Sequence, residues 1–372
     1  MDLTSTLAGY DLNNLTIGVL GGHSALEVCE GAKAAGFNTL VVAQKGREKT
    51  YEKYYKTRGG KGCVDEVLVL DSFGDIVKPE VQEELRKRNT IFIHNRYFWV
   101  YCNFDAIEKD FKVPIYGTRN LVRLEERDVE KNQYWLLEQA GIRIPRMYSS
   151  SAEIDRPVIV KVNEAIRTYE RAFFVAVSPE DFKTKSEAMI AAGTITREAL
   201  NKAVIEEFVV GAQVNLNFFY STVHGELELM GTDARRQTSL DGFLRLDAGT
   251  QMELLNSGYK PSMVETGHFS VTTKESLVEK IFDAGERFVA VTQKHANPGI
   301  IGPFALQGAV AAENGKEEFV IFDVSMRIPG SPGTRFTPYT SYLWGQPMSY
   351  GQRIALEIKE AVEQGRLGEI LT

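Results

Sequence analysis

Short apolar runs alternate with amphipathic stretches through the first third of the chain. Ile17–Leu20, Asn38–Ala43, Glu66–Leu70, Thr90–Ile93 and Val113–Tyr116 read as strands. Ser24–Ala35 and a stretch from about Lys78 to Arg88 read as helices, the second with Pro79 in its first turn, where a missing N–H costs little. Strands separated by helices imply a parallel, doubly wound sheet. A polar helix is expected over Leu124–Ala140, stopped by Gly141 and Pro145. Strands at Pro157–Val162, Arg171–Val177 and Ala203–Val210, with a helix near Pro179–Ala192, have the size of a small α+β subdomain. The last third is strand-rich, with Val214–Tyr220, Glu226–Gly231, Phe243–Leu246, Gly302–Ala312 and Glu318–Ile328, closed by a helix around Tyr350–Glu363.

At 372 residues the chain exceeds one ordinary core, so two or three domains are expected. Hydrophobic content of 43% and charged content of 25% are ordinary globular usage and exclude long disorder. The uncharged stretch His295 to Ala312 contains Asn297, Pro298 and Gln307, so it does not read as a membrane span, and the start lacks the layout of a secretion signal. A cytoplasmic location is the expectation. Cys29, Cys63 and Cys102 have no metal or disulfide spacing, and the five histidines form no HxH or HExxH pair. A net charge of −7 argues against a nucleic-acid partner. One segment departs from that balance: Gln44 to Gly62 carries Lys45, Arg47, Lys49, Lys53, Lys56, Arg58 and Lys61 around Tyr51, Tyr54 and Tyr55. It reads either as a solvated basic loop or as an anion site for a small ligand's phosphates.

Four segments carry candidate chemistry. Gly21-Gly22-His23-Ser24 follows the first strand and opens a helix with Ser24 placed to cap it, a turn that aims N–H groups at an anion. A dinucleotide site would need an acid at the end of the second strand, where Val42-Ala43-Gln44-Lys45 has none, so an NAD enzyme is not expected. Lys161 faces away from the valines of Val158–Val162, and Ala203–Gly211 carries Glu206 and Glu207 in an apolar run. A lysine and two acids so placed suit nucleotide phosphates, purine and ribose. In Glu318 to Ile328, alternation puts Asp323, Ser325 and Arg327 on one face, costly when buried unless a metal–phosphate site supplies partners. Asn314-Gly315 marks a hairpin; a five-residue loop, Glu313 to Glu317, would set Gln307 opposite Asp323.

Taken in order, these segments resemble an ATP-grasp ligase, and more narrowly the archaeal PurP family of formate-dependent 5-formaminoimidazole-4-carboxamide ribonucleotide (FAICAR) synthetases of purine biosynthesis. The resemblance spans almost the whole chain. It rests on Gly21–Leu26, Arg156–Lys161, Glu206–Gly211, Glu228–Gly231 through Asp241-Gly242, Asp283–Arg287, Ile301–Phe304 and Pro347–Ser349. The fold it implies mixes α/β and α+β parts: a doubly wound N-terminal domain over 1–122, a small nucleotide-lid subdomain over 123–202, and a C-terminal ATP-grasp domain over 203–372 with the metal site. ATP and Mg²⁺ are the implied cofactors, formate and AICAR (the aminoimidazole carboxamide ribonucleotide) the substrates, and a homotrimer or homohexamer the implied assembly. Carried over by position, His23, Ser24, Tyr97 and His268 bind AICAR; Lys161, Glu206, Glu207, Phe208, Val209 and Gln237 bind ATP; Gln307 and Asp323 hold Mg²⁺; Arg327 steadies the transferring phosphoryl group.

Several positions depart from the family pattern. The stretch 163–171, where the family has a glycine-rich loop over the phosphates, has no glycine, although Arg167 or Arg171 offers charge. A metal-binding acid falls at Gln307, an AICAR-contacting asparagine at His268, a serine near Tyr97 and an ATP-contacting acid at Gln237. A divergent ligase with another carboxylate or amine, or a non-catalytic nucleotide-binding homologue, are the alternatives these changes leave.

Overall fold

The computed structural model of the chain describes residues 6–126, 129–162, 172–313 and 315–372. They divide into two compact units. The larger comprises Met1–Gly141, Gln213–Gly308 and Asp323–Thr372; the smaller comprises Ile142–Ala212 and Ala309–Phe322.

In the larger unit, β1 (Thr16–Leu20), β2 (Asn38–Gln44), β3 (Glu66–Leu70), β4 (Thr90–Ile93) and β5 (Ile115–Tyr116) form a parallel sheet in the order β3-β2-β1-β4-β5. Its strands are short apolar runs because both faces are covered, the setting in which parallel strands persist. One face packs with Phe219, Met230, Ile301, Tyr350 and Ile354, and the other with Phe73, Phe98, Trp99 and Phe111. The order reverses between β1 and β4, which makes the carboxyl ends of these two strands the switch point of the sheet.

The smaller unit holds a second sheet: β6 (Met147–Tyr148), β7 (Val158–Val162), β8 (Ala172–Ala176) and β9 (Val204–Glu207), in the order β6-β9-β7-β8. Val158, Val160 and Val162 enter its core with Tyr148, Ile154, Ile195 and Ile205. A third sheet has the order β12-β11-β10-β13-β14, built from β10 (Ala212–Ser221), β11 (Glu226–Gln237), β12 (Glu265–Val271), β13 (Gly302–Glu313) and β14 (Lys316–Ser325). β13 reaches Glu313 and β14 starts at Lys316, so their connection is shorter than the expected five-residue loop; Asn314 itself lies outside the described residues.

Three sequence expectations need correction. Leu124–Ala140 is not one helix: a 3₁₀ turn covers Val122–Glu125, and the helix runs only over Gln133–Gln139, because the Asn132 side chain accepts from the Tyr134 and Trp135 amides and caps it. Phe243–Leu246 is not a strand: a helical turn over Leu240–Phe243 continues into Leu244, whose amide bonds Leu240. The Ala203–Val210 strand stops at Glu207, where the Phe208 amide turns to the Pro157 carbonyl. The closing helix falls on Tyr350–Glu363 as read, with Ser349 and Gln352 forming a capping box.

That helix crosses the Ala25–Ala34 helix in backbone contact at Gly31 and Gly351. A Cβ on Gly351 would overlap the Glu27 carbonyl, and one on Gly31 would overlap the Gly351 backbone. The Glu27 carboxyl is sealed in the crossing: Oε1 accepts from the Tyr350 amide at 3.0 Å, and Oε2 has no partner among the described residues. Burial therefore lifts its pKa from 4.5 to about 8. A carboxyl whose pKa is raised on folding contributes stability below its unfolded pKa and loses it as pH rises through the folded one. Relative to Glu27→Gln, the wild type should lose stability between about pH 5 and pH 8, read as the difference in denaturation midpoints. Gly351→Ala should cost about 1–3 kcal/mol at any pH, as overpacking does.

Candidate active site

The turn after β1 is built on two glycines. Gly22 has φ +131°, and any Cβ there would run into the Tyr97 ring, while one on Gly21 would press on Tyr51. Fully buried Asn95, just past β4, ties the two switch-point strands together: its Nδ2 donates to Leu20 O at 2.8 Å and His23 O at 2.7 Å, and its Oδ1 accepts from the Phe98 amide at 3.3 Å. Tyr97 comes against Gly22, next to His23 and Ser24 in the same turn. Ser24 differs from expectation. It has φ 65° and makes no cap bond, because its hydroxyl donates to Pro329 O at 3.0 Å.

That bond fixes the tautomer of His23. Ser24 Oγ lies 3.2 Å from His23 Nδ1 and its only proton is taken by Pro329 O, so the ring must donate from Nδ1, leaving a lone pair on Nε2. The ring packs on Gly330, where no side chain fits. Burial, then the positive charges of Arg327, Arg96 and His268, outweigh Glu265 and hold His23 down at about 3, a neutral imidazole.

The alternation read along Glu318 to Ile328 places its polar row in the larger unit. Gln307 Nε2 donates to Ser325 Oγ at 2.9 Å, and Gln307 Oε1 accepts from the Arg235 guanidinium, which also lies 3.7 Å from Asp323. Arg327 is buried, its guanidinium 3.7 Å from the Glu125 carboxylate, and burial lowers its pKa. Glu125 is itself held by the Met326 amide at 2.6 Å, and burial raises its pKa.

Residues not singled out in the sequence complete this face. Asp233 on β11 is 1% exposed and accepts from Asn215 at 3.0 Å, from Asn217 at 2.6 Å and from His268 Nδ1. His268 Nε2 lies 3.0 Å from Glu265, and the Arg235 guanidinium 3.3 Å from the same carboxylate. Burial opposes a charge on His268, but Asp233 and Glu265 overrule it and lift the ring to about 9. His268 in turn, against burial and with help from Arg235, holds Glu265 down at about 2. The period-two asparagines within Val214–Tyr220 were the available signal. Gln237 is the register partner of Glu265, and its backbone amide donates to the Asp241 carboxylate.

In the smaller unit, Lys161 and Glu206 form an ion pair across β7 and β9, Glu206 being buried. Glu207 accepts from the Arg146 amide at 3.2 Å, while Phe208 is exposed and Val209 half-buried. Residues 163–171, with Arg167 and Arg171, lie outside the described residues. Of the basic segment, Tyr51 is buried with its hydroxyl at the Gly22 amide, and Arg58 folds onto the Lys53 and Lys56 carbonyls.

A switch-point turn in a doubly wound sheet, followed by two further sheets, defines the ATP-grasp class of fold. The solved structure of an IMP biosynthesis protein PurP from Thermococcus kodakaraensis is similar, with a TM-score of 0.68 and 25% identity over 96% of this chain and 100% of that one. An N5-carboxyaminoimidazole ribonucleotide synthetase solved as its ADP complex shares the fold, with a TM-score of 0.56 at 14% identity over 90% of this chain and 78% of that one. Residues 17–148 match the family described as a protein of unknown function (DUF1246), and 181–372 the domain of unknown function DUF1297. Relatives named 5-formaminoimidazole-4-carboxamide-1-(beta)-D-ribofuranosyl 5'-monophosphate synthetase are 38% identical in Methanopyrus kandleri, over 100% of this chain and 99% of the relative, and 40% identical in Methanothermobacter thermautotrophicus, over 100% and 98%. The chain belongs to this PurP synthetase family. No helix among the described residues is long and apolar enough to cross a membrane.

Asn95→Ala would strip three hydrogen bonds from the switch point and leave buried carbonyls unpaired. The expected cost is about 3 kcal/mol in denaturant unfolding. Faster amide exchange should appear over 21–24, and exchange there unchanged from wild type would contradict the role given to Asn95.

Proposed function

We propose that the protein is an ATP- and formate-dependent ligase that converts AICAR to FAICAR through formyl phosphate. The observation that carries the reading is a neutral imidazole at the switch point beside a buried arginine, in a chain that matches named synthetases from end to end. Formate takes the γ-phosphoryl group of ATP, releasing ADP; the 5-amino nitrogen of AICAR then attacks the formyl carbon, phosphate departs and the nitrogen loses a proton. Nε2 of His23, bearing a lone pair, accepts a hydrogen bond from that amine and aims it. With so low a pKa the ring is a poor resting place for the proton, which leaves with phosphate or water. Tyr97 lies beside the same turn and faces the ligand. Arg327, desolvated and anchored by Glu125, steadies the charge on the phosphoryl oxygens.

The smaller unit is read as the nucleotide lid. There Lys161 and Glu206 serve ATP, with Glu207, Phe208 and Val209 as the adenine and ribose hinge; Gln237 is likewise assigned to ATP. Among the described residues no cluster of three or more His, Cys, Asp or Glu is placed to hold a metal ion. The donor set fits Mg²⁺, which commonly takes one or two carboxylates and completes its shell with phosphates and water, once the Arg235 guanidinium, now on Gln307 Oε1 and 3.7 Å from Asp323, turns away to the phosphates. Gln307 and Asp323 would hold it, and it would supply charge to neutralise the phosphates. A cytoplasmic homo-oligomer belongs to the same reading, supported by exposed Leu244, Met252, Leu255, Met263 and Val264; light scattering should give a mass above one chain.

The test is purified protein with ATP, Mg²⁺, formate and AICAR, following ADP and formylated product. Stoichiometric ADP and FAICAR are expected, with at least a hundredfold loss in Arg327→Ala. ATP binding without product would instead favour another carboxylate or amine. Gln307→Glu should tighten Mg²⁺ about tenfold, since a carboxylate replaces an amide oxygen, and unchanged Mg²⁺ affinity would remove Gln307 from the metal site.

A further inference from the structure

His268 pairs with Arg235 across β12 and β11, and each of its ring nitrogens meets a carboxylate: Nδ1 meets Asp233, and Nε2 meets Glu265 at 3.0 Å. An ionised carboxylate only accepts hydrogen bonds, so a ring held this way carries a proton on both nitrogens. The two partners are unlike. Asp233 is 1% exposed and pinned by Asn215 and Asn217, whereas the Glu265 side chain is 42% exposed. The charged and titratable groups facing the ring are Asp233 and Arg235 from β11, Glu265 from β12 itself, and His23 from the turn after β1.

We propose that Asp233 is a positioning residue: with Asn215 and Asn217 behind it, it holds His268 as an imidazolium whose Nε2–H passes from Glu265 to a carbonyl or carboxylate oxygen on the base of the bound ribonucleotide. Glu265 is then a built-in stand-in for that oxygen, keeping the donor occupied until ligand arrives. The arrangement selects by acceptor. A charged donor-only group favours an imidazole ribonucleotide with an exocyclic oxygen over one lacking it, because only the first offers an oxygen that can take the N–H over from Glu265. The identity of the ligand rests on the reading of the preceding section; the charge state of His268 does not.

Histidine-labelled full-length protein tests this by NMR. His268 should keep imidazolium shifts to beyond pH 8 in the wild type, and its midpoint should fall by at least one unit in Asp233→Asn. Calorimetry with AICAR alone, without ATP, should show Asp233→Asn binding at least tenfold more weakly at pH 8, with the deficit shrinking at pH 6 as the ring recharges. Glu265→Gln, a surface change that leaves the fold intact, should tighten AICAR a few-fold by replacing the charged internal competitor with a weaker, neutral acceptor. His268→Asn should make affinity independent of pH between 6 and 9. A His268 midpoint unmoved in Asp233→Asn overturns the proposal; so does weaker AICAR binding in Glu265→Gln, a result that stays informative if Asp233→Asn fails to fold. Wild-type protein that shows the expected titration and binds a carboxylated imidazole ribonucleotide but not AICAR would support Asp233 as positioning residue while refuting the substrate assigned above.

Discussion

One strand, β11, carries two carboxylates out of water, and neither is tolerable alone. Glu228 is bound by Arg353 at 2.8–3.0 Å and by the Trp344 indole at 3.1 Å. Arg353, wholly buried, also pairs with Glu357 at 2.9 Å and lies over the Phe219 ring. Removing one partner from such a set typically costs 3–5 kcal/mol, because the other charge is stranded. Asp233, five residues on, meets the same requirement with two asparagines and a histidine. The first set fastens the closing helix to the sheet, and the second is the floor of the proposed substrate site.

An odd spacing of five would put Glu228 and Asp233 on opposite faces of a regular strand. A bulge at Met230 removes the conflict. Asn215 pairs with Asp233 and Asn217 with Gly231, but Phe218 pairs with Leu229 and Phe219 with Glu228, so one extra residue on β11 resets the parity. A second irregularity between Arg236 and Gln237 does the same for β12, bringing Glu265 onto the face of His268. Bulges gather next to sites for this reason: they re-aim a side chain without disturbing the rest of the ladder.

The same fact sets what the sequence could disclose. The parallel sheet was legible because its strands are short apolar runs punctuated by helices, and the closing helix because its capping box and period are unbroken. Asp323 and Ser325 were legible because β14 has no bulge to break the period-two reading, and Arg327 lies two residues past its end at Ser325. Asp233, Asn215 and Glu265 were not, since pattern reading assumes regular pleating and each of these depends on a bulge or on a partner from another strand. Phe243–Leu246 failed for a different reason: four residues of mixed polarity carry no period, and the chain closed a helical turn there instead. Ser24 has the composition of a cap, but a carbonyl more than three hundred residues away claims its hydroxyl.

His23 and His268 show how one fold separates like groups. His23 sits among cations with a hydroxyl acceptor on Nδ1 and stays neutral; His268 sits between carboxylates and stays charged. Their order cannot be exchanged, because Asp233 would restore a proton to any ring placed against it, and Arg327 would repel one from any ring placed beside Ser24. Each protonation state therefore belongs to a position in the fold more than to a residue type. An amine needs an acceptor and a carbonyl needs a donor, and in the proposed site a ligand carrying both on neighbouring ring atoms would meet them as two imidazoles in opposite charge states. On that argument the histidine on β12 adds the donor that the histidine after β1, held neutral, cannot provide.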